Sequence, residues 1–153
     1  MDIIKNLRKS YNFHVLYPSQ GVYKVHSFFE NEENIMILDG VTTFSALSYY
    51  NNDYKNIVKK VIKGLQIDIL HIHHMMGHYF DVIDVCKENN IKTMITLHDF
   101  YCICPTINLL YKMEKYCMNI EPAKKDCASC LYNKMRIANN IVPIWQQRWK
   151  IFY

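Results

Sequence analysis

The spacing of apolar residues divides the chain into two parts of different character. Over the first forty residues the apolar positions fall in short aromatic and β-branched runs. Asn12-Phe-His-Val-Leu-Tyr17 and Val22-Tyr-Lys-Val-His-Ser-Phe-Phe29 predict two strands, and Pro18-Ser-Gln-Gly21 predicts a four-residue hairpin turn between them. A polar turn at Asn31-Glu-Glu-Asn34 leads to a third short strand, Ile35 to Leu38, and a weak helical patch follows at Phe44 to Tyr50.

From Asp53 the period lengthens. Tyr54, Ile57, Val58, Val61, Ile62 and Leu65 recur at three- and four-residue spacing, with Asp53 placed as N-cap and Gly64 as a stop signal. Ile67-Asp-Ile-Leu-His-Ile72 is an almost continuous apolar run, as expected of a strand covered on both faces. A second helix fits Gly77 to Asn90 around Tyr79, Phe80, Ile83 and Cys86, and a second buried strand fits Lys92 to Leu97. Strand, helix and strand within about 30 residues form a βαβ crossover, which implies a parallel pair with a right-handed connection. Ligands of such sheets bind beyond the carboxyl ends of the strands. Both ends here carry polar chemistry, His71-Ile-His-His74 and His98-Asp99.

Beyond Pro105 the pattern predicts a helical patch from Ile107 to Lys115, a cysteine-rich stretch from Cys117 to Cys130, and a last helix opening at Pro143. Its stripe of Ile144, Trp145, Trp149 and Phe152 or Tyr153 runs to the final residue without a stop signal, so the helix reads as cut and the chain as truncated or separately encoded.

Composition narrows the function classes. At 153 residues one compact unit is expected, and 50% hydrophobic residues argue against disorder. A charge of +4 from 18 basic and 14 acidic side chains, scattered along the chain, gives no nucleic-acid footprint. No run approaches the ~18 apolar residues that span a bilayer, and MDIIKNLRKS lacks the features of a signal peptide. A cytoplasmic compartment is expected, with the six cysteines as thiols or ligands. The four glycines form neither GxGxxG nor GxxxxGK[ST], so no phosphate cradle is recognisable.

Three groups of residues could carry chemistry. His71 and His73 alternate along one strand and face the same side, and with Asp99 they could bind the metal of a hydrolase. Buried or loop histidines satisfied by neighbouring groups are the plainer alternative. At the second strand end a neutral His98 imidazole can accept or donate one hydrogen bond in the cleft, with Asp99 either orienting it or capping the next turn. Cys104, Cys117, Cys127 and Cys130, with a single CxxC at Cys127-Ala-Ser-Cys130, could close a structural zinc site or could be packed thiols. Cys86 and Cys102 are expected to be core. Trp145 and Trp149 beside Arg148 and Lys150 could touch a membrane surface or pack against sequence not present.

Asp68-Ile-Leu-His-Ile-His-His74, Gly77-His78, Thr96-Leu-His-Asp-Phe-Tyr101, Cys104-Pro105 and the trailing Cys117 and Cys127-Ala-Ser-Cys130 together resemble the N-terminal domain of GT-B glycosyltransferases of family 4, the group 1 transferases. The resemblance covers roughly residues 53 to 131. The glycine-rich loop that the family carries after its first strand is not visible here.

The resemblance implies a Rossmann-like α/β fold: a parallel sheet flanked by helices, the acceptor-side half of GT-B, with a cysteine-containing loop insertion. The implied activity is retaining transfer of a sugar from a nucleotide-sugar donor to a carbohydrate or lipid-linked acceptor; the cytoplasmic location expected above leaves open a peripheral contact with the inner membrane face. His98 matches the strand-end histidine beside the transferred sugar. His73, His74, Gly77 and His78 match the acceptor side, and Asn108 is a further candidate for the same cleft. The donor nucleotide would be held mainly by a C-terminal domain or subunit, so this chain alone is expected not to turn over. The alternatives are the metal-dependent hydrolase and a non-catalytic, zinc-stapled interaction domain.

Overall fold

The computed structural model describes residues 2–41, 48–101, 104, 107–111, 114–117 and 130. A short helix, α1 (Asp2–Leu7), precedes an antiparallel meander of β1 (Phe13–Ser19), β2 (Val22–Phe28) and β3 (Glu33–Leu38), with β2 in the centre. The Arg8 guanidinium ties the end of α1 to this sheet, donating to the Phe29 carbonyl at 3.0 Å and to Glu33 at 2.8 Å.

The β1–β2 turn is tighter than the sequence predicts. Pro18 pairs with Tyr23 and Ser19 with Val22, which leaves only Gln20 and Gly21 in the turn. Both have positive φ, 51° and 83°, the geometry of a two-residue hairpin whose twist matches its strands. Pro18 is tolerated in a strand because β1 is an edge.

The second unit is the expected α/β crossover. α2 (Asn52–Gly64), β4 (Ile69–Ile72), α3 (Asp81–Glu88) and β5 (Lys92–Ile95) follow in order, and β4 pairs with β5 in parallel, Ile69 opposite Lys92 and Ile72 opposite Ile95. The N-cap of α2 is Asn51 rather than Asp53: its side chain accepts the Tyr54 N–H at 3.0 Å, while Asp53 lies in the first turn where a carboxylate favours the helix dipole. α3 is shorter than its apolar pattern, because Gly77 has φ +80° and the Phe80 N–H bonds to the Tyr49 carbonyl rather than into a helix. The buried Asp81 carboxylate accepts the Asn51 N–H at 2.8 Å and so joins the two helix starts.

One core links the two units. Tyr23 and Val25 of β2 meet Tyr54, Val58 and Ile62 of α2 and Val82, Val85 and Cys86 of α3. Large side chains of this kind contribute about 1.5–3 kcal/mol each on full burial. Cys86 is core, as expected, and burial pushes its thiol up to about 11. The expectation that both faces of β4 and β5 are covered differs from the structure: Ile69 is 58% exposed, Met94 52%, and all four β5 residues are open to solvent among the described residues.

The helical patch expected at 107–115 is instead a small hairpin, β6 (Leu110–Tyr111) and β7 (Lys115–Tyr116). Ile107 and Leu109 have φ of 63° and 54°, which no right-handed helix accommodates. The patch at 44–50 and the last helix lie wholly or largely outside the described residues, as do Cys102 and Cys127. No helix among the described residues is long and apolar enough to cross a membrane.

Candidate functional site

β4 and β5 both end at the same edge of their sheet, and parallel pairing fixes what lies beyond them. His71, His73 and His74 each bond to the residue 25 positions further on: His71 Nε2 to Thr96 Oγ1 at 2.8 Å, His73 Nδ1 to His98 Nε2 at 2.9 Å, and His74 Nε2 to Asp99 Oδ2 at 2.8 Å. A constant offset is the signature of parallel strands. The side-chain contacts run parallel to the β4–β5 ladder, whose own partners are 23 residues apart, but are displaced from it by two residues, past the last ladder bond from Thr96 N–H to the Ile72 carbonyl.

The neutral His74 tautomer follows from its neighbours. Its Nδ1 accepts the Met76 N–H at 2.8 Å, so the ring proton sits on Nε2 and is donated to Asp99. The other carboxylate oxygen, Oδ1, accepts the Tyr101 N–H at 2.7 Å. Desolvation acts to raise the Asp99 pKa, but the Tyr101 amide and His74 outweigh it and hold the group below the usual carboxylate value. Asp99 thus caps the turn and holds the His74 ring, which lies 4.8 Å from Tyr101. It makes no hydrogen bond to His98. The group that holds His98 is His73.

His73 and His98 are both exposed. Their ring planes are 18° apart with centroids 5.2 Å apart, and the His71 ring lies 4.0 Å from that of His73, on the shared side expected from strand alternation. Desolvation, then His71, His98 and the chain's α-amino group, lower the His73 pKa. A shallow pocket opens here, lined by His73, His74, Met75, Leu97, His98, Asp99 and Tyr101 among others.

The remaining expected site residues lie elsewhere. His78 is half-buried in the core, with Nδ1 3.1 Å from the Tyr54 hydroxyl and its ring 5.6 Å from that of Tyr23. Burial, with a smaller contribution from His74, lowers its pKa to about 4. Gly77 is a backbone requirement: its φ is +80°, an added Cβ would stand 2.9 Å from Pro18 Cγ, and its carbonyl accepts the Tyr23 hydroxyl at 2.7 Å. Asn108 Oδ1 accepts the Leu110 N–H at 3.1 Å at the start of β6.

Of the cysteines expected to hold zinc, Cys104 and Cys130 are buried and Cys117 half-buried; the Cys117 N–H donates to the Leu109 carbonyl at 2.6 Å. No group of three or more His, Cys, Asp or Glu side chains among the described residues is arranged to hold a metal ion. The residues that the hydrolase alternative requires are engaged with Thr96, with His98 and with His74, respectively.

Sequence reading missed Thr96 and Tyr101 as parts of the site. Thr96 stands one residue past β5, where its hydroxyl meets His71, and only the β4–β5 register reveals that. Tyr101 carried an aromatic signal beside His98-Asp99, but its packing on His74 depends on the turn that Asp99 caps.

No protein-family profile, no curated protein and no solved structure matches this chain.

Proposed function

We propose that this chain is the acceptor-side domain of a retaining GT-B glycosyltransferase of family 4, built on a Rossmann-like parallel sheet. The observation that carries the reading is the convergence of His73, His74, His98 and Asp99 at the carboxyl ends of the parallel pair β4–β5. That edge is where α/β sheets take ligands, and the residues are those on which the family resemblance rests. Exposed imidazoles beside a tyrosine and apolar groups suit a carbohydrate, which offers hydroxyls to hydrogen-bond and C–H faces to pack.

In this reading the transferred sugar lies against His98, the acceptor lies along His73 and His74, and the nucleotide of the donor is held by a second domain or subunit. A zinc ion on Cys104, Cys117, Cys127 and Cys130 would serve only to staple the chain after the site. A lipid-linked acceptor would bring the cytoplasmic enzyme to the inner face of a membrane, whereas a soluble carbohydrate acceptor would not.

The test is a glycan array probed with the purified chain and with His98→Ala. Retention of one class of oligosaccharide by the wild type, lost in the variant, is the expected result. Absence of any glycan binding together with metal-dependent hydrolysis of phosphoesters would overturn it.

A further inference from the structure

The loop that leaves β4 is held by hydrogen bonds that all run in one direction. Tyr23, on β2 and buried, donates its hydroxyl to the Gly77 carbonyl at 2.7 Å. The N–H of that same peptide group, on His78, donates to the Met75 carbonyl at 3.0 Å. The N–H of the peptide group to which the Met75 carbonyl belongs, on Met76, donates to His74 Nδ1 at 2.8 Å, and His74 Nε2 donates to Asp99 Oδ2 at 2.8 Å. A trans peptide group is planar, with its C=O and N–H fixed on opposite sides, so turning one turns the other. Two such planes stand between the Tyr23 hydroxyl and the His74 ring. Every donor points towards the Asp99 carboxylate, the arrangement in which successive bonds polarise and strengthen one another.

The apolar anchors of the loop, Met75, Tyr79 and Phe80, are buried and fix where it lies. They do not fix which way the Met76 N–H points. That direction decides the His74 tautomer, and with it whether Nε2 has a proton to give Asp99. We propose that Tyr23 is a positioning residue of the candidate site: through the peptide groups Gly77–His78 and Met75–Met76, its hydroxyl sets the tautomer and orientation of His74 and, through Asp99, the turn that carries Tyr101. The site thus depends on the central strand of the β1–β3 meander as well as on the β4–β5 edge. The Tyr54 hydroxyl braces the same point from α2, 3.1 Å from His78 Nδ1. The relay itself does not depend on what is bound; its effect on binding rests on the carbohydrate reading above, in which the acceptor lies along His74.

The test is nitrogen NMR of the isotope-labelled chain near pH 8. In the wild type His74 should show the Nε2–H tautomer alone, with a scalar coupling across the bond from the Met76 N–H to His74 Nδ1. Tyr23→Phe keeps the ring and removes only the hydroxyl. His74 should then pass to a mixture of tautomers, with the coupling lost and the Tyr101 amide signal shifted. Ile62→Ala, at the far end of α2, opens a cavity in the same core but is no member of the relay, and should leave all three readouts as they are. Tyr23→Phe should also bind the oligosaccharide that the array selects about fivefold more weakly, the effect of one lost hydrogen bond, while Ile62→Ala binds it as the wild type does. A wild-type chain without the coupling, a Tyr23→Phe chain with His74 unchanged, or the same change in Ile62→Ala would overturn the proposal; the first needs no substitution and decides even where Tyr23→Phe does not fold. A mixture of tautomers in Tyr23→Phe with undiminished glycan binding would leave the relay standing and count against the placement of the acceptor along His74.

Discussion

The His78 side chain makes the stability of this domain sensitive to mild acid. It is held neutral against Tyr54 and Tyr23, and its pKa falls from the usual 6.5 to about 4, with burial the main cause. In the unfolded chain the imidazole takes up a proton near pH 6.5, whereas in the folded chain it resists protonation down to about pH 4. The unfolded state therefore binds more protons across that window, and stability rises with pH there. The contribution is fully present above pH 6.5 and is lost as pH falls towards 4. At about 1.4 kcal/mol per pKa unit the full loss is about 3 kcal/mol, with about 2 kcal/mol gone by pH 5. Against the few kcal/mol by which small domains are stable, that is a large fraction. The assay is urea unfolding at pH 7 and pH 5 for the wild type and for His78→Asn, which retains a polar partner for the Tyr54 hydroxyl but cannot titrate. The wild type should lose about 2 kcal/mol more than the variant between the two values. Equal pH dependence in both proteins would refute the reasoning and return His78 to the exposed acceptor role that its sequence position suggested.

Other outcomes follow from the same geometry. Gly77→Ala places a Cβ 2.9 Å from the Pro18 ring at a φ of +80°, whereas Gly21→Ala meets nothing within 4 Å at a φ of +83°. Both should pay about 1–2 kcal/mol of left-handed strain, and Gly77→Ala about 1 kcal/mol more for the contact; equal unfolding midpoints would show that Pro18 yields freely. Gly64→Ala, in α2 with no atom nearby and no positive φ, should stabilise by up to about 1 kcal/mol in the same assay. Asp99→Asn removes the charge that His74 and the Tyr101 amide stabilise, and should cost about 1 kcal/mol near neutral pH after allowance for partial exposure. The Asp99 contribution is present above the usual carboxylate pKa and lost as pH falls through the lowered folded value, so wild type and variant should converge at low pH; a constant difference would refute it. Cys86, fully buried with its thiol pushed up to about 11, should resist iodoacetamide until the domain unfolds. Mass spectrometry of the native chain checks this, and rapid labelling at Cys86 would contradict the packing.

The α/β crossover was legible because periodicity and strand length are local properties. The stripe from Tyr54 to Leu65 and the apolar run ending at Ile72 are enough to specify α2 and β4 and their parallel successor. Boundaries were less legible because they depend on backbone partners. Ile67 falls outside β4 because its N–H turns back to the Ile62 carbonyl at the end of α2. Helix α1 was missed because Ile3, Ile4 and Leu7 supply less than two turns of pattern. The stretch from Ile107 to Lys115 read as helical from its apolar content, but positive φ at Ile107 and Leu109 is invisible in residue types that ordinarily avoid it.

At the site, the strand-end position of His71, His73, His74 and His98 could be read from the chain, but not their pairing. Which imidazole meets which residue follows from parallel pairing, with side chains meeting at a 25-residue offset, two residues beyond the 23-residue offset of the β4–β5 ladder. Of the two roles that sequence adjacency left open for Asp99, orienting His98 or capping the next turn, the structure has the second: Asp99 turns to the Tyr101 amide and to His74, and His73 meets His98. Adjacent residues at a strand end point in different directions, so neighbours in sequence need not be neighbours in a site.

The measurement that bears most directly on carbohydrate recognition at this edge is amide and histidine-ring NMR mapping of the chain with the oligosaccharide that the array selects. Carbohydrate binding at the ends of β4 and β5 predicts shifts confined to His73, His74, Leu97, His98, Asp99 and Tyr101, abolished by His98→Ala with the rest of the spectrum unchanged. Shifts centred instead on the β1–β3 meander or on the β6–β7 hairpin, and unaffected by that substitution, would contradict it.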